Sequence, residues 1–260
     1  MLCEALRLAL QILQSRVRRA SQNLCILGAF WALTETAQAE ILSAWYDEPT
    51  TRYTHGVLGD IEEWGALVLK VSTCADCAFR KVVTFRFVLP QSRVFEDLEP
   101  RLIDLDNDGT PEVVVIESDA DQGSALVVYD ESGRITQTPH IGQRNRWLAP
   151  IGAADFDGDG RVELAYIDRP HLAKTLRVWR YDNDQLGHVV DKSGLTNHRI
   201  GEDYISGGIR ICGDTPEIVT VNSDWTRIMA TTLSSDRLTS RVVGIFDGPE
   251  SLKDALDCVY

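Results

Sequence analysis

Two stretches of this chain gather carboxylates at a spacing that suits a hard cation. Asp104, Asp106, Asp108 and Glu112 stand at positions 1, 3, 5 and 9 of a nine-residue loop, with Gly109 at position 6. Asp155, Asp157, Asp159 and Glu163 reproduce the pattern around Gly160. In a tightly turned loop alternate side chains converge on one point, and the glycine permits the sharp turn this requires. The backbone carbonyls of Thr110 and Arg161, at position 7, add a further oxygen. An all-oxygen donor set of this kind suits calcium better than zinc or magnesium. The closing acid falls at position 9 rather than 12 and no helical pattern flanks either loop, so a strand–loop–strand site is expected instead of an EF-hand. Asp and Gly also make plain turns. Two loops at matching places argue for metal, because clustered aspartates repel one another without a cation. The expectation is two Ca2+ ions with a structural role and a Kd of roughly 10⁻⁴ to 10⁻³ M.

The elements that must position these loops follow from an internal repeat. Leu102–Val115 aligns with Ala153–Tyr166, the first aspartates lying 51 residues apart. Each loop is followed by a second apolar stretch, Ala125–Tyr129 and Leu176–Trp179. Two eroded copies flank them. Cys212-Gly213-Asp214-Thr215-Pro216-Glu217 keeps the Thr-Pro-Glu ending, and Gly59-Asp60 leads through Glu62 and Glu63 into Ala66–Leu69. Neither retains the run of aspartates, so no metal ligands are assigned there. Segments within a unit are short, rich in Val, Ile, Leu, Tyr and Trp, and separated by turn residues, with no helical periodicity after residue 39. About four strands per unit at a period near fifty predicts an all-β fold: a small β-propeller of four or five four-stranded blades. Residues 40–51 and 245–260 complete a fifth blade or close the ring. A β-sandwich or an open array of repeats fits the period less well.

The D-x-D-x-D-G-x-x-E loops followed by strands resemble FG-GAP/VCBS repeats, the propeller repeats also found in integrin α-chains. The resemblance is good over Leu102–Tyr129 and Ala153–Trp179 and poor over the flanking copies. It implies a calcium-binding propeller and names no substrate, since such repeats occur in adhesion, carbohydrate-binding and enzyme-associated modules.

A second set of candidate residues precedes the repeats: Arg52 and His55, Arg146 and Trp147, His198 and Arg199. If these segments converge, they form a basic and aromatic ring that grips an anion or a sugar, since Arg forks match anions and indole faces stack on sugars. The plainer expectation is that each Arg pairs with an acid such as Glu96 or Asp97 and each aromatic fills the core. His55 and His198 are candidate general bases beside Asp60 or Asp203. Asp168-Arg169-Pro170-His171 reads as a turn. No G-x-S-x-G, H-E-x-x-H or P-loop pattern is present.

The 260 residues carry a formal charge of −13. Arg16, Arg18 and Arg19, the apolar Leu24–Leu33 and Ala37-Gln38-Ala39 follow the order of a secretory signal peptide, predicting a leader at 1–39 and a propeller domain at 40–260. Losing the leader removes Arg7, Arg16, Arg18, Arg19, Glu4 and Glu35 and takes the charge from −13 to −15. So acidic a surface repels nucleic acid and attracts cations. No apolar run reaches the roughly 20 residues of a spanning helix, and none is expected after cleavage. Cys74, Cys77, Cys212 and Cys258 then remain. In an oxidising compartment three connectivities are open, Cys74–Cys77 with Cys212–Cys258 being favoured over a four-cysteine zinc site. The sequence thus points to an exported, periplasmic or extracellular monomer that binds a protein or glycan and is held by calcium. The alternative is a polysaccharide-active hydrolase or lyase using the propeller mouth.

Overall fold

The computed structural model describes residues 39–59, 62–74 and 81–259. Residues 1–38 of the expected leader, Cys77 and Asp60 lie outside the described residues. Among the described residues the chain is all-β apart from one short helix, and every strand pairing is antiparallel.

Four units follow one another. The first holds β1 (Glu40–Thr50), β2 (Glu63–Ser72) and β3 (Val82–Val88), with β2 in the middle. The second holds β4 (Arg93–Phe95), β5 (Arg101–Ile103), β6 (Glu112–Asp119), β7 (Gly123–Asp130) and β8 (Gly133–Gln137). Strands β4 and β5 pair end to end along β6, and a Trp64–Phe95 pair joins this unit to β2 in one eight-stranded sheet. The third unit is a four-stranded meander: β9 (Leu148–Ala154), β10 (Glu163–Asp168), β11 (Thr175–Asp182) and β12 (Gln185–Ser193). Its β9 is continuous but bulged where it crosses Ala165 and Tyr166. The fourth unit repeats the split, β13 (Leu195–Thr196) and β14 (Gly208–Arg210) both pairing with β15 (Glu217–Asn222), followed by β16 (Arg227–Ser234) and β17 (Arg237–Ile245). The repeat is therefore one of register: Ile103 faces Glu112, Ala154 faces Glu163 and Arg210 faces Glu217.

Central strands read as near-continuous apolar runs because both their faces are buried. Val113 and Val115 of β6 enter one core with Leu67, Leu69 and Phe95, while Val114 and Ile116 enter the next with Leu148, Leu164 and Tyr166. In β10 the same alternation sends Leu164 and Tyr166 one way and Ala165 and Ile167 the other. The cores thus lie between successive sheets, and each buried Val, Leu or Ile contributes roughly 1.5–3 kcal/mol.

The C-terminal segment corrects two expectations. Among the described residues after β17, which end at 259, there is no further strand. Pro249–Leu256 forms helix α1, whose Leu252 and Ala255 pack with Val219, Val221 and Ile228. Pro at its first turn and apolar residues at 252, 255 and 256 are ordinary helix signals; two turns are too short to stand out as periodicity. The expected Cys212–Cys258 disulfide is present and ties the segment after α1 to the loop between β14 and β15. Cys74 is buried and disulfide-bonded.

Candidate functional site

The two Asp-rich loops occupy the same place in successive units, β5–loop–β6 and β9–loop–β10. Their frameworks share most of their bonds, the second adding one from the Gly158 amide to Asp155 Oδ1 at 2.7 Å. Asp104 Oδ1 accepts from the Asp108 amide at 3.1 Å and its Oδ2 from the Gly109 amide at 3.0 Å. Asp155 accepts from Asp159 at 3.1 Å and Gly160 at 2.9 Å through the same two oxygens. The closing glutamates are anchored identically, Glu112 Oε2 on the Leu105 amide at 2.8 Å and Glu163 Oε2 on the Phe156 amide at 2.9 Å. Gly109 and Gly160 have φ of 92° and 87°, with nothing near the place of a Cβ, so backbone conformation and not crowding requires glycine.

Carboxylate oxygens converge in both loops. Those of Asp104, Asp106 and Asp108 lie within 4.8 Å of one another, as do those of Asp155, Asp157 and Glu163. An all-oxygen cluster on a turn that also offers the Thr110 and Arg161 carbonyls fits a hard cation. Nothing in the donor chemistry identifies which one. Asn107 Nδ2 donates to the Gly160 carbonyl at 3.2 Å, linking the loops. Beside that link lies a cavity of ≈ 370 Å³, lined by Asp106, Asn107, Arg161, Tyr181, Asp182 and Asp184 among others.

Electrostatics separates the two. Among the described residues no Lys or Arg forms an ion pair with Asp104, Asp106 or Glu112. Burial, reinforced by the charges of Asp106 and Asp108, pushes Glu112 up to about 7, and burial followed by its acidic neighbours raises Asp106. In the second loop Arg180 of β11 meets three of the four acids. Its Nε donates to Glu163 Oε1 at 2.6 Å, and its Nη2 contacts Asp157 Oδ2 and lies 3.6 Å from Asp159. Burial still raises Glu163, while the Arg161 guanidinium holds Asp159 below the usual carboxylate range. In the eroded fourth loop two arginines hold the equivalent acid. Arg210 donates to Glu217 Oε2 through Nε at 3.0 Å and Nη2 at 2.9 Å, and Arg241 grips both carboxylate oxygens.

The segments leading into the repeats also meet, though not as a ring of exposed arginines. His55, on the connection between β1 and β2, faces Glu96 with Nδ1 2.5 Å from Oε1. Glu96 is fully buried, takes the Ser118 hydroxyl on its other oxygen, and offers its backbone carbonyl to Trp147 Nε1 at 2.8 Å. Trp147, itself buried, stacks on His171 and meets His198 edge-on. His171 Nε2 and His198 Nδ1 are hydrogen-bonded at 2.9 Å, and His198 Nε2 lies 3.0 Å from the Glu202 carbonyl. Residues from all four units therefore share one cluster. Burial, then the neighbouring His198 and His55, lowers His171 to about 4; burial also lowers His198.

Two arginines of the expected ring, Arg52 and Arg199, are engaged elsewhere. Arg52 donates to the Arg93 carbonyl at 2.9 and 2.6 Å. Arg199 lies over the Trp225 ring at 4.1 Å, and the Arg146 carbonyl accepts from the Ser124 amide at 2.9 Å. Asp97 pairs with Arg101. His171, which the sequence shows only as part of a turn, joins the cluster, and Arg180 carries no sequence signal short of the strand register that sets it opposite Glu163.

Among the described residues no helix is long and apolar enough to cross a membrane. No curated protein matches the chain. Residues 104–166, from the first aspartate of one loop to the strand after the other, match the family model of an FG-GAP-like repeat. The chain carries an FG-GAP-like repeat that contains both Asp-rich loops.

Proposed function

We propose that this protein is an exported, calcium-dependent β-propeller of four units that serves as a binding or scaffold module for a protein or glycan. The observation that carries the reading is a carboxylate cluster in each of two loops that stand at one register position in consecutive units. A cation there ties the end of one strand to the start of its neighbour, so its role is to stiffen each unit. Supporting the propeller are antiparallel units with cores between successive sheets and a cluster drawn from all four. A disulfide between Cys212 and Cys258 fits an oxidising compartment, periplasmic or extracellular. The His55–Glu96–His198 region supports pinning of the units in place of hydrolysis or lyase chemistry, because Glu96, Trp147 and His198 are shut from solvent.

The reading is tested by replacing Asp106 and Asp157 together with alanine in the full chain. The expected result is a melting temperature that no longer responds to calcium. A calcium response equal to that of the parent protein would sink the assignment.

A further inference from the structure

Resting on the calcium reading, we infer that the two loops are not equivalent seats: Arg180 fills the second as an internal cation, and only the loop at 104–112 is left to a metal. The argument is a comparison of oxygens. Both closing glutamates spend Oε2 on the backbone amide at position 2 of their loop. In the second loop the other oxygen, Glu163 Oε1, accepts from Arg180 Nε at 2.6 Å, and Asp157 Oδ2 meets Arg180 Nη2. Their counterparts, Glu112 Oε1 and Asp106 Oδ2, meet no cationic side chain among the described residues. The guanidinium thus takes two of the three acids that converge in the second loop.

Register explains the difference. Glu163 lies directly opposite Arg180 across the β10–β11 pair. In the preceding unit Val113 lies opposite Tyr129, which carries Glu112 opposite Asp130, a residue of the wrong sign to fill the seat. Charge tells the same story. Four acids in the second loop are met by Arg161 and Arg180, leaving a formal −2. In the first loop Asp104, Asp106 and Glu112 form no ion pair with Lys or Arg among the described residues. Arg180 is also well held, its side chain being 16% exposed, so its departure is opposed by several charge-assisted hydrogen bonds. The fourth unit carries the substitution further: Glu217 has two arginines and the run of alternating aspartates is gone.

The experiment is a calorimetric titration of the EDTA-stripped full chain with calcium chloride. One equivalent is expected in the parent protein, with any second weaker by at least about tenfold, the equilibrium cost of displacing a single charge-assisted hydrogen bond. Arg180→Gln is expected to raise the count to two equivalents of comparable affinity. Two equal equivalents in the parent, or one in both proteins, overturns the inference while leaving calcium binding standing. No binding in either protein overturns the calcium reading and the inference with it. Should Arg180→Gln not fold, single substitutions decide: the parent's equivalent is lost on Asp106→Asn and survives Asp157→Asn. Loss on Asp157→Asn with survival on Asp106→Asn, or equal loss on both, overturns the assignment of the free seat.

Discussion

The loop at Asp104–Glu112 and the loop at Asp155–Glu163 share a motif, a backbone framework and a place in the fold, and differ in one cross-strand neighbour. Opposite Glu163 stands Arg180; opposite Glu112 the register sets Asp130. The motif therefore fixes where the carboxylates point, and the adjacent strand fixes what neutralises them. The loop before Glu217 takes the last step. It has no run of aspartates, two arginines on its closing acid, and a disulfide through Cys212 holding the loop itself. Three solutions to one electrostatic problem sit in consecutive units.

That comparison breaks most visibly at the arginine-held end. Arg210 is nearly buried and also donates to the Ala255 carbonyl at the end of α1. Arg210→Met is expected to lower stability by about 3 kcal/mol, because it strips a partner from a largely buried glutamate and a helix carbonyl. Chemical denaturation with and without calcium checks this; a calcium-dependent loss would contradict a loop held by arginine alone. At the metal end, Glu112→Gln is expected to remove most of the stabilisation that calcium gives. That amounts to about 1.4–2.7 kcal/mol at 10 mM calcium if the Kd is near 10⁻⁴ to 10⁻³ M, read from melts at several calcium concentrations.

Acid sharpens the contrast from the other end of β10, where His171 follows the strand that the Asp-rich loop precedes. His171 is held near 4, below its ordinary 6.5. The unfolded chain therefore binds the extra proton between these values, and the contribution is complete above about 6.5 and lost as pH falls towards 4. Denaturation midpoints should fall over that window with or without calcium, and His171→Phe should flatten the slope; a slope unchanged by that substitution would place the acid sensitivity elsewhere. The smallest effect is expected at Arg161, whose pairs with Asp159 and Asp182 are exposed. Arg161→Ala should leave the denaturant midpoint close to that of the parent protein, because exposed ion pairs contribute little. A marked fall in the midpoint would make Arg161, and not Arg180, the principal cation of the second loop.

Much of the frame was legible in the residues. The 51-residue offset between Asp104 and Asp155 located equivalent loops, and the apolar runs of β6 and β10 announced strands buried on both faces. The helix was missed because Pro249–Leu256 makes only two turns after a long run of strands. Arg180 was invisible for a different reason. It lies 17 residues from Glu163, and only the pairing of β10 with β11 brings them face to face. His171 escaped for the same cause, since it joins His198 of another unit only when the sheets stack, whereas a meeting of the segments that carry His55, Trp147 and His198 is an expectation of the sequence. Local spacing reveals a loop that folds on itself; partners supplied by a neighbouring strand or unit require the register.

The most direct test of the account is a thermal melt of the full-chain protein, first in EDTA and then in millimolar calcium. A melting temperature that rises with calcium and stops responding once Asp106 is replaced by asparagine is the result the account predicts. No rise in the parent protein would contradict it, leaving the Asp-rich loops as turns held by their own hydrogen bonds and by Arg180.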